Sequence, residues 1–271
     1  MAEAQNSKAA HYDSNYGNFE SDLYAEIRRE AFGEDMGQNS WHTDEEQDRF
    51  IHHLGLAPGK KLLDVACGAG GPALRISAKT GCAVVGIDIH EQAITAARAL
   101  AARQGLETRA EFQLIDGAAR LPFADGEFDA ITCIDAINHL PDRPAVVAEW
   151  ARVLRKSGRL LFTDPITVTG PLSKDEIEIR SAAGFFLFVP LDYDRRILSE
   201  CGLSLVVCED VTENTAQTAE RRRQARASRE QLLRRIEGDP SYEQQQAFLE
   251  VASRIARERR LSRFLYVAEK Q

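Results

Sequence analysis

Short apolar runs alternate with stretches of helical period along the middle of the chain, and that alternation predicts an α/β fold. Residues 61–66 form the first run and read as a buried parallel strand. Pro72 opens a helix over 72–79, with Leu74, Ile76 and Ala78 around the sheet contact. A second strand is expected at 83–87. The helix after it, 90–104, carries Ile94, Ala97, Leu100 and Ala101 at helical spacing and stops at Gly105. Strands follow at 109–114 and 128–134. A helix starts near Asp142, carries Val146, Val147, Trp150, Val153 and Leu154, and ends at Ser157 and Gly158. A strand at 159–163, a helix at 192–201 and a strand at 204–211 complete the alternation. Elements joined in this order by short links imply a mostly parallel, doubly wound sheet with helices on both faces. Ligands of such sheets bind beyond the carboxyl ends of the strands.

Two segments stand outside the alternation, 12–50 and 213–261. The second predicts two helices split by Gly238, Asp239 and Pro240, with apolar positions Leu232, Leu233, Ile236, Phe248, Leu249, Val251 and Ile255. Its arginine run, Arg221, Arg222, Arg223 and Arg226, has acids interspersed and reads as a solvated helix face rather than an anion site. Three regions result: an N-terminal helical lid (1–50), a cofactor-binding core (51–212), and a helical cap insertion with a final strand (213–271). The first fifteen residues are polar, and disorder is expected at their start.

With 271 residues, 44 % of them hydrophobic, the chain can build one large core. A net charge of −8 argues against nucleic acid or an anionic membrane surface as the main partner. The five cysteines show neither C-x-x-C nor zinc spacing, so free thiols in a reducing cytoplasm are expected. No apolar run is long enough to span a bilayer, and no signal peptide is evident.

The candidate chemistry begins at Asp64-Val65-Ala66-Cys67-Gly68-Ala69-Gly70-Gly71-Pro72. Glycines let a loop backbone approach a ligand closely. Asp88, at the end of the second strand, stands where a carboxylate can hold two ribose hydroxyls. Together they indicate a nucleoside-containing cofactor. From Gly68 to Ala73 the loop fits the dinucleotide fingerprint, but Asp64 would repel a pyrophosphate and welcome an amino group or sulfonium.

Read from Asp64, the segment resembles the D-x-G-x-G-x-G loop of class I S-adenosylmethionine-dependent methyltransferases, with Ala66 in place of the first glycine. The stretches 111–118, 121–133 and 153–162 resemble that family's third, fourth and fifth strands, and 264–269 its late antiparallel strand. The resemblance implies a Rossmann-like seven-stranded sheet with the last strand antiparallel, plus helical cap insertions that cover the site. It also implies S-adenosyl-L-methionine as cofactor, held by Gln38, Asn39, Asp64, Ala66, Gly68, Gly70, Asp88, Ile89, Asp116, Gly117, Ala118 and Ile134. The acceptor would be a small molecule, a natural product or an amine, and the enzyme a monomer or homodimer.

Past the fourth strand lies Asp135-Ala136-Ile137-Asn138-His139. This string, with Phe32-Gly33-Glu34-Asp35 upstream, resembles phosphoethanolamine methyltransferases, where the aspartate and histidine do acid–base work. His139 is the candidate base and Asp135 its orienting group. Tyr12, Tyr16 and Tyr24 are the candidate N-terminal tyrosines. That family's phosphate-binding arginine and tyrosines have no match. An apolar run carrying Phe185, Phe186 and Phe188 stands there instead, and with Tyr16, Tyr24 and Trp41 it is the candidate substrate wall. A second resemblance, to natural-product sugar O-methyltransferases, places Asp164 beside the reaction, although Asn138 replaces the histidine that acts as base in those enzymes. Asp135 and Asp164 lack a third metal ligand, so no metal is assigned. The sequence leaves open O, N or C as the accepting atom. It also leaves open a non-methylating reaction such as cyclisation, and a non-catalytic cofactor-binding role.

Overall fold

The structure, a computed structural model, describes residues 21–182 and 184–271. Tyr12 and Tyr16 lie outside the described residues. Two helices come first, α1 (Asp22–Phe32) and α2 (Asp44–Leu54), with N-caps at Ser21 and Thr43. The alternation then runs β1 (Lys61–Val65), α3 (Gly71–Thr80), β2 (Ala83–Asp88), α4 (Glu91–Arg103), β3 (Ala110–Leu114) and β4 (Phe128–Ile134). After a 3-10 turn at Ile137–His139 come α5 (Arg143–Val153), β5 (Leu154–Val168), α6 (Lys174–Arg180) and β6 (Val189–Pro190). The chain continues with α7 (Tyr193–Glu200), β7 (Leu203–Asp210), α8 (Thr212–Ala227), α9 (Glu230–Glu237) and α10 (Asp239–Arg257), and ends with β8 (Leu261–Lys270).

The strands pair in the order β3-β2-β1-β4-β5-β8-β7, with β8 antiparallel to both β5 and β7 and the pairs from β3 to β5 parallel. This is the expected doubly wound sheet with a late antiparallel strand. Four details differ from expectation. The helix expected to end at Ser157 and Gly158 stops at Val153, because Leu154 already pairs with Phe128 and begins β5. The two-residue β6 adds an eighth strand on β5. β5 runs past Thr163 to Val168, because after a register shift Thr167 and Val168 still pair with Ser262 and Leu261. The segment between β7 and β8 is three helices, not two. Gly238, at φ 81, separates α9 from α10, and a further break at Ser228 and Arg229 separates α8 from α9.

Helices cover both faces of the sheet. Trp150 and Val146 of α5 and Ile197 and Leu198 of α7 pack on one face, against Phe162 and Tyr266. Phe50 of α2, Leu74 of α3 and Ala97 of α4 pack on the other, against Leu62 and Phe112. The first helix joins the cap rather than the sheet: Ile27 clusters with Ala225, Leu233 and Tyr242. The loop after α1 lies on the glycine-rich loop so closely that a Cβ at Gly71 would run into the Met36 carbonyl. No helix among the described residues is long and apolar enough to cross a membrane.

Candidate active site

Asp64, Asp88, Asp116 and Ile134 stand at the carboxyl ends of β1, β2, β3 and β4. Asp64, in β1, is buried and accepts the Thr132 hydroxyl at 2.7 Å. Burial pushes its carboxyl up to about 7, against the pull of that hydrogen bond, and the charge of Asp88 adds to the rise. A cationic ligand nearby would restore the ionised form. The loop after β1 turns through left-handed residues at Ala66 (φ 56), Gly68 (φ 55) and Gly70 (φ 77). Ala66 holds a conformation that suits glycine better, so its backbone is strained where the chain leaves the strand.

Asp88 is fixed from two sides. Gly68 N–H donates to its Oδ2 and His90 N–H to its Oδ1, both at 2.9 Å. Each oxygen keeps a second lone pair for a ligand hydroxyl. Ile89, next in the chain, is 63 % exposed, and Leu114, at the end of β3, is 54 % exposed. Two large apolar side chains left in solvent beside a positioned acid suit the face of a heterocycle. Asp116 is exposed, its Oδ1 accepting from Ala118 N–H at 2.8 Å. Gly117 packs over β1, where an added Cβ would meet Val65 Cγ1 at 2.7 Å. Ile134 is half-buried at the end of β4. An acid for ribose hydroxyls, an acid for an exocyclic amine, apolar faces between them and a buried acid for a cation form a donor set that fits S-adenosylmethionine.

Beyond β4 a cavity opens beneath the cap. Asp135, Asn138 and His139 line it from the sheet side, Trp41 from the N-terminal loop, and Phe186 and Phe248 from above. Trp41 and Phe248 stack with ring centroids 6.1 Å apart, and Phe186 meets His139 edge-on at 4.6 Å. His139 Nδ1 lies 2.9 Å from the Phe185 carbonyl oxygen. A carbonyl only accepts, so Nδ1 carries the hydrogen and Nε2 is the basic nitrogen. Burial holds the imidazole below its ordinary 6.5, with the Arg180 charge adding to the fall, so it is neutral at pH 7.

Asp135 does not orient His139 through a hydrogen bond among the described contacts, which corrects the expected pair. Its Oδ1 accepts from Arg263 Nε at 2.6 Å and from the Thr163 hydroxyl at 2.7 Å, and its Oδ2 from Trp41 N–H at 2.8 Å. It takes a left-handed backbone (φ 54), which aims it back toward β5 and β8. Asp164 is also placed differently from expectation. It is wholly buried and ion-paired to Arg143 at 2.6 Å, with Asp194 on the same guanidinium at 2.8 Å. Burial and the Asp164 charge push Asp194 upward. Asp164 is therefore part of a charge cluster in the interior, out of reach of a ligand.

Three other candidates serve the scaffold. The Gln38 amide is turned into its own loop, accepting from Met36 N–H at 2.9 Å and donating to the Glu34 carbonyl at 3.2 Å. Tyr24 donates to Glu237 at 2.5 Å and so ties α1 to the cap. Phe188 packs among Ile166, Val251 and Ile255. Asn39 lines the cavity, whereas Phe185 is largely exposed and contributes its carbonyl. Arg263, Arg143 and Thr132 were not singled out from the sequence. A signal existed for Arg263, since it is the one charge in the apolar run from Leu261 to Ala268, and such a charge implies a buried partner.

A family model described as a methyltransferase domain matches residues 63–162. The chain is 33 % identical over 232 residues to 27-O-demethylrifamycin SV methyltransferase of Amycolatopsis mediterranei, across 80 % of this chain and 84 % of that protein. Among solved structures, the cyclopropane synthase MmaA2 from Mycobacterium tuberculosis aligns with a TM-score of 0.83 at 18 % identity, over 97 % of this chain and 98 % of that one. The 4+2 cyclase SpnF aligns with a TM-score of 0.72 at 23 % identity, over 88 % and 86 % of the two chains. At such identities the structural likeness speaks to fold alone.

Proposed function

The chain belongs to the class I S-adenosylmethionine-dependent methyltransferases that act on small molecules, and from that footing we propose that His139 is the general base for methylation of a hydroxyl on a natural-product acceptor. When bound, S-adenosylmethionine supplies an electrophilic methyl group that carries its own leaving group. The chain's part is to align the acceptor and take its proton. Asp88 would hold the ribose, Asp116 the adenine amine, Ile89 and Leu114 the adenine faces, and Asp64 would favour the cationic end. The acceptor would sit between Trp41, Phe186 and His139.

The observation that carries the reading is the 2.9 Å contact between His139 Nδ1 and the Phe185 carbonyl oxygen. The Phe185 carbonyl fixes the hydrogen on Nδ1, and burial keeps the ring neutral, so Nε2 is a base at the cavity wall. Asp135 acts one step away, holding the Trp41 backbone over the cavity. The hydroxyl acceptor is supported by the rifamycin-modifying relative, whose name describes O-methylation.

The test is to incubate the protein with methyl-labelled S-adenosylmethionine and a pool of small metabolites. Label in a product, matched by released S-adenosylhomocysteine, is expected. Asp88→Ala should weaken cofactor binding by about 1–3 kcal/mol, the cost of unmade hydrogen bonds to a buried polar ligand. Conversion of an acceptor with no S-adenosylhomocysteine released would instead favour a non-methylating reaction such as cyclisation.

A further inference from the structure

The four arginines of the run in α8 do four different things. Arg221 is exposed and reaches Gln217 at 3.4 Å. Arg223 pairs with Glu220 at 2.9 Å. Arg226 is buried and pairs with Glu237 at 2.7 Å. Arg222 turns into the cavity that holds His139, where its hydrogen bond is a long one, Nη2 to Asn39 Oδ1 at 3.5 Å. No carboxylate among the described residues forms an ion pair with it. Burial, then the charges of Arg226 and Arg28, pull it down to about 10, and it remains a cation at neutral pH. The solvated-face reading therefore holds for Arg221 and Arg223 and fails for Arg226, which is buried against Glu237, and for Arg222.

Two further features of the wall point to a ligand. Asn138 is wholly buried and lines the cavity, yet neither its Oδ1 nor its Nδ2 has a hydrogen-bond partner among the described residues. A native interior rarely leaves a whole amide unsatisfied. Arg180 also lines the cavity, its guanidinium 4.7 Å from the Phe248 ring centre and 5.7 Å from that of Trp41. Among the described lining residues Asp135 is the one acid, and Arg263 already matches its charge. Arg222 thus brings a positive charge to the described wall of the cavity, in a chain whose net charge is −8.

We propose that the acceptor carries an oxyanion that pairs with Arg222, while the Asn138 amide hydrogen-bonds a polar group beside His139. The proposal rests on reading this cavity as the acceptor site. A guanidinium presents parallel N–H groups to two oxygens, so it suits a carboxylate or a phosphoester. The aromatic walls suit a flat or apolar body attached to that anion.

The experiment uses the full chain loaded with S-adenosylhomocysteine, titrated separately with benzoate, benzamide and inorganic phosphate. Benzoate should bind at least tenfold more tightly than its neutral counterpart benzamide. Arg222→Gln should erase that preference, Arg222→Lys should keep part of it, and Arg221→Gln should keep it all. Phosphate binding more tightly than benzoate would assign the oxyanion to a phosphoester. Wild-type protein with no preference for benzoate over benzamide, including failure to bind either, overturns the proposal, and that comparison needs no variant to fold. The preference surviving intact in folded Arg222→Gln overturns it as well. Failure to bind S-adenosylhomocysteine would instead count against the methyltransferase reading of the site. Binding of S-adenosylhomocysteine with no oxyanion preference would remove this inference alone.

Discussion

Arg263 of β8 donates Nε–H to Asp135 Oδ1 at 2.6 Å, with the arginine wholly buried and the aspartate side chain 3 % exposed. The same guanidinium holds both oxygens of Glu46 in α2, at 2.7 and 2.8 Å. Asp135 in turn accepts the Trp41 amide. One cation thereby fastens the N-terminal segment to the sheet at the edge where the ligands bind. Arg263→Met would leave two carboxylates buried without a counter-charge. Removing one partner of a buried pair typically costs about 3–5 kcal/mol. Urea unfolding should show a loss of that size, and a loss under about 1 kcal/mol would mean that water reaches the pair.

At the proposed cofactor site, Asp64 should make cofactor binding depend on pH. Its carboxyl stands near 7 in the folded protein, against about 3.9 in an unfolded chain. The folded state without ligand therefore holds a proton that the unfolded state has already released. This group's contribution to stability is fully present below pH about 4 and is lost as the pH rises through 7. A cationic ligand selects the ionised form, so affinity for S-adenosylmethionine should climb between about pH 6 and 8. Calorimetry across that range checks it, and Asp64→Asn should flatten the curve.

With His139 as the proposed base, activity should have an acid limb set by this residue. Burial lowers its titration below 6.5, so the imidazole is a base throughout the neutral range and gains its proton only at lower pH. Turnover should fall on acidification with a midpoint below 6.5, not at neutral pH. His139→Gln should remove the limb and slow turnover by about 10²–10⁴-fold. Cofactor affinity, measured in parallel, should change little. Near wild-type turnover in that variant would show that the acceptor needs no base from this position.

The N-terminal segment and the cap helices should respond to ligand together. Tyr24 to Glu237 and Trp41 O to Thr218 Oγ1, at 2.5 and 2.9 Å, join α1 and the loop after it to the cap. Strands β1 and β4 are held by their own ladders to β2, to each other and to β5. Hydrogen exchange with S-adenosylhomocysteine should therefore protect residues 33–43 and α8 more than β1 or β4. Uniform protection across the chain would argue that nothing moves on binding.

The order of strands and helices was legible because each element advertises itself locally. A strand buried on both faces is mostly apolar, as Leu62, Leu63 and Val65 of β1 are. The glycine-rich loop and Asp88 were legible for the same reason, since a fixed spacing after a strand places them at one sheet edge. The extra break at Ser228 had no such signal. Nothing in that polar stretch departs from helical composition, and the break follows from how α9 folds back so that Leu233 reaches the cluster of Ile27 and Tyr242.

By itself, the sequence determined the doubly wound sheet, the late antiparallel strand and the gathering of the glycine-rich loop and Asp88 at one sheet edge, because these follow from local periodicity and short spacings. Tertiary structure alone decided what each charged side chain does. Asp135 and His139 are four residues apart, yet the partner of Asp135 is Arg263, 128 residues away. Asp164 sits at the end of an expected strand, but Arg143 and Asp194 draw it inside. Arg222 reads like its neighbours and faces the cavity because α8 turns it inward, one helical turn before the buried Arg226. Desolvation makes a buried charge too costly to leave alone, so its role is set by whichever opposite charge the fold brings within reach. That distance is a property of the folded chain and is written in no local stretch of it.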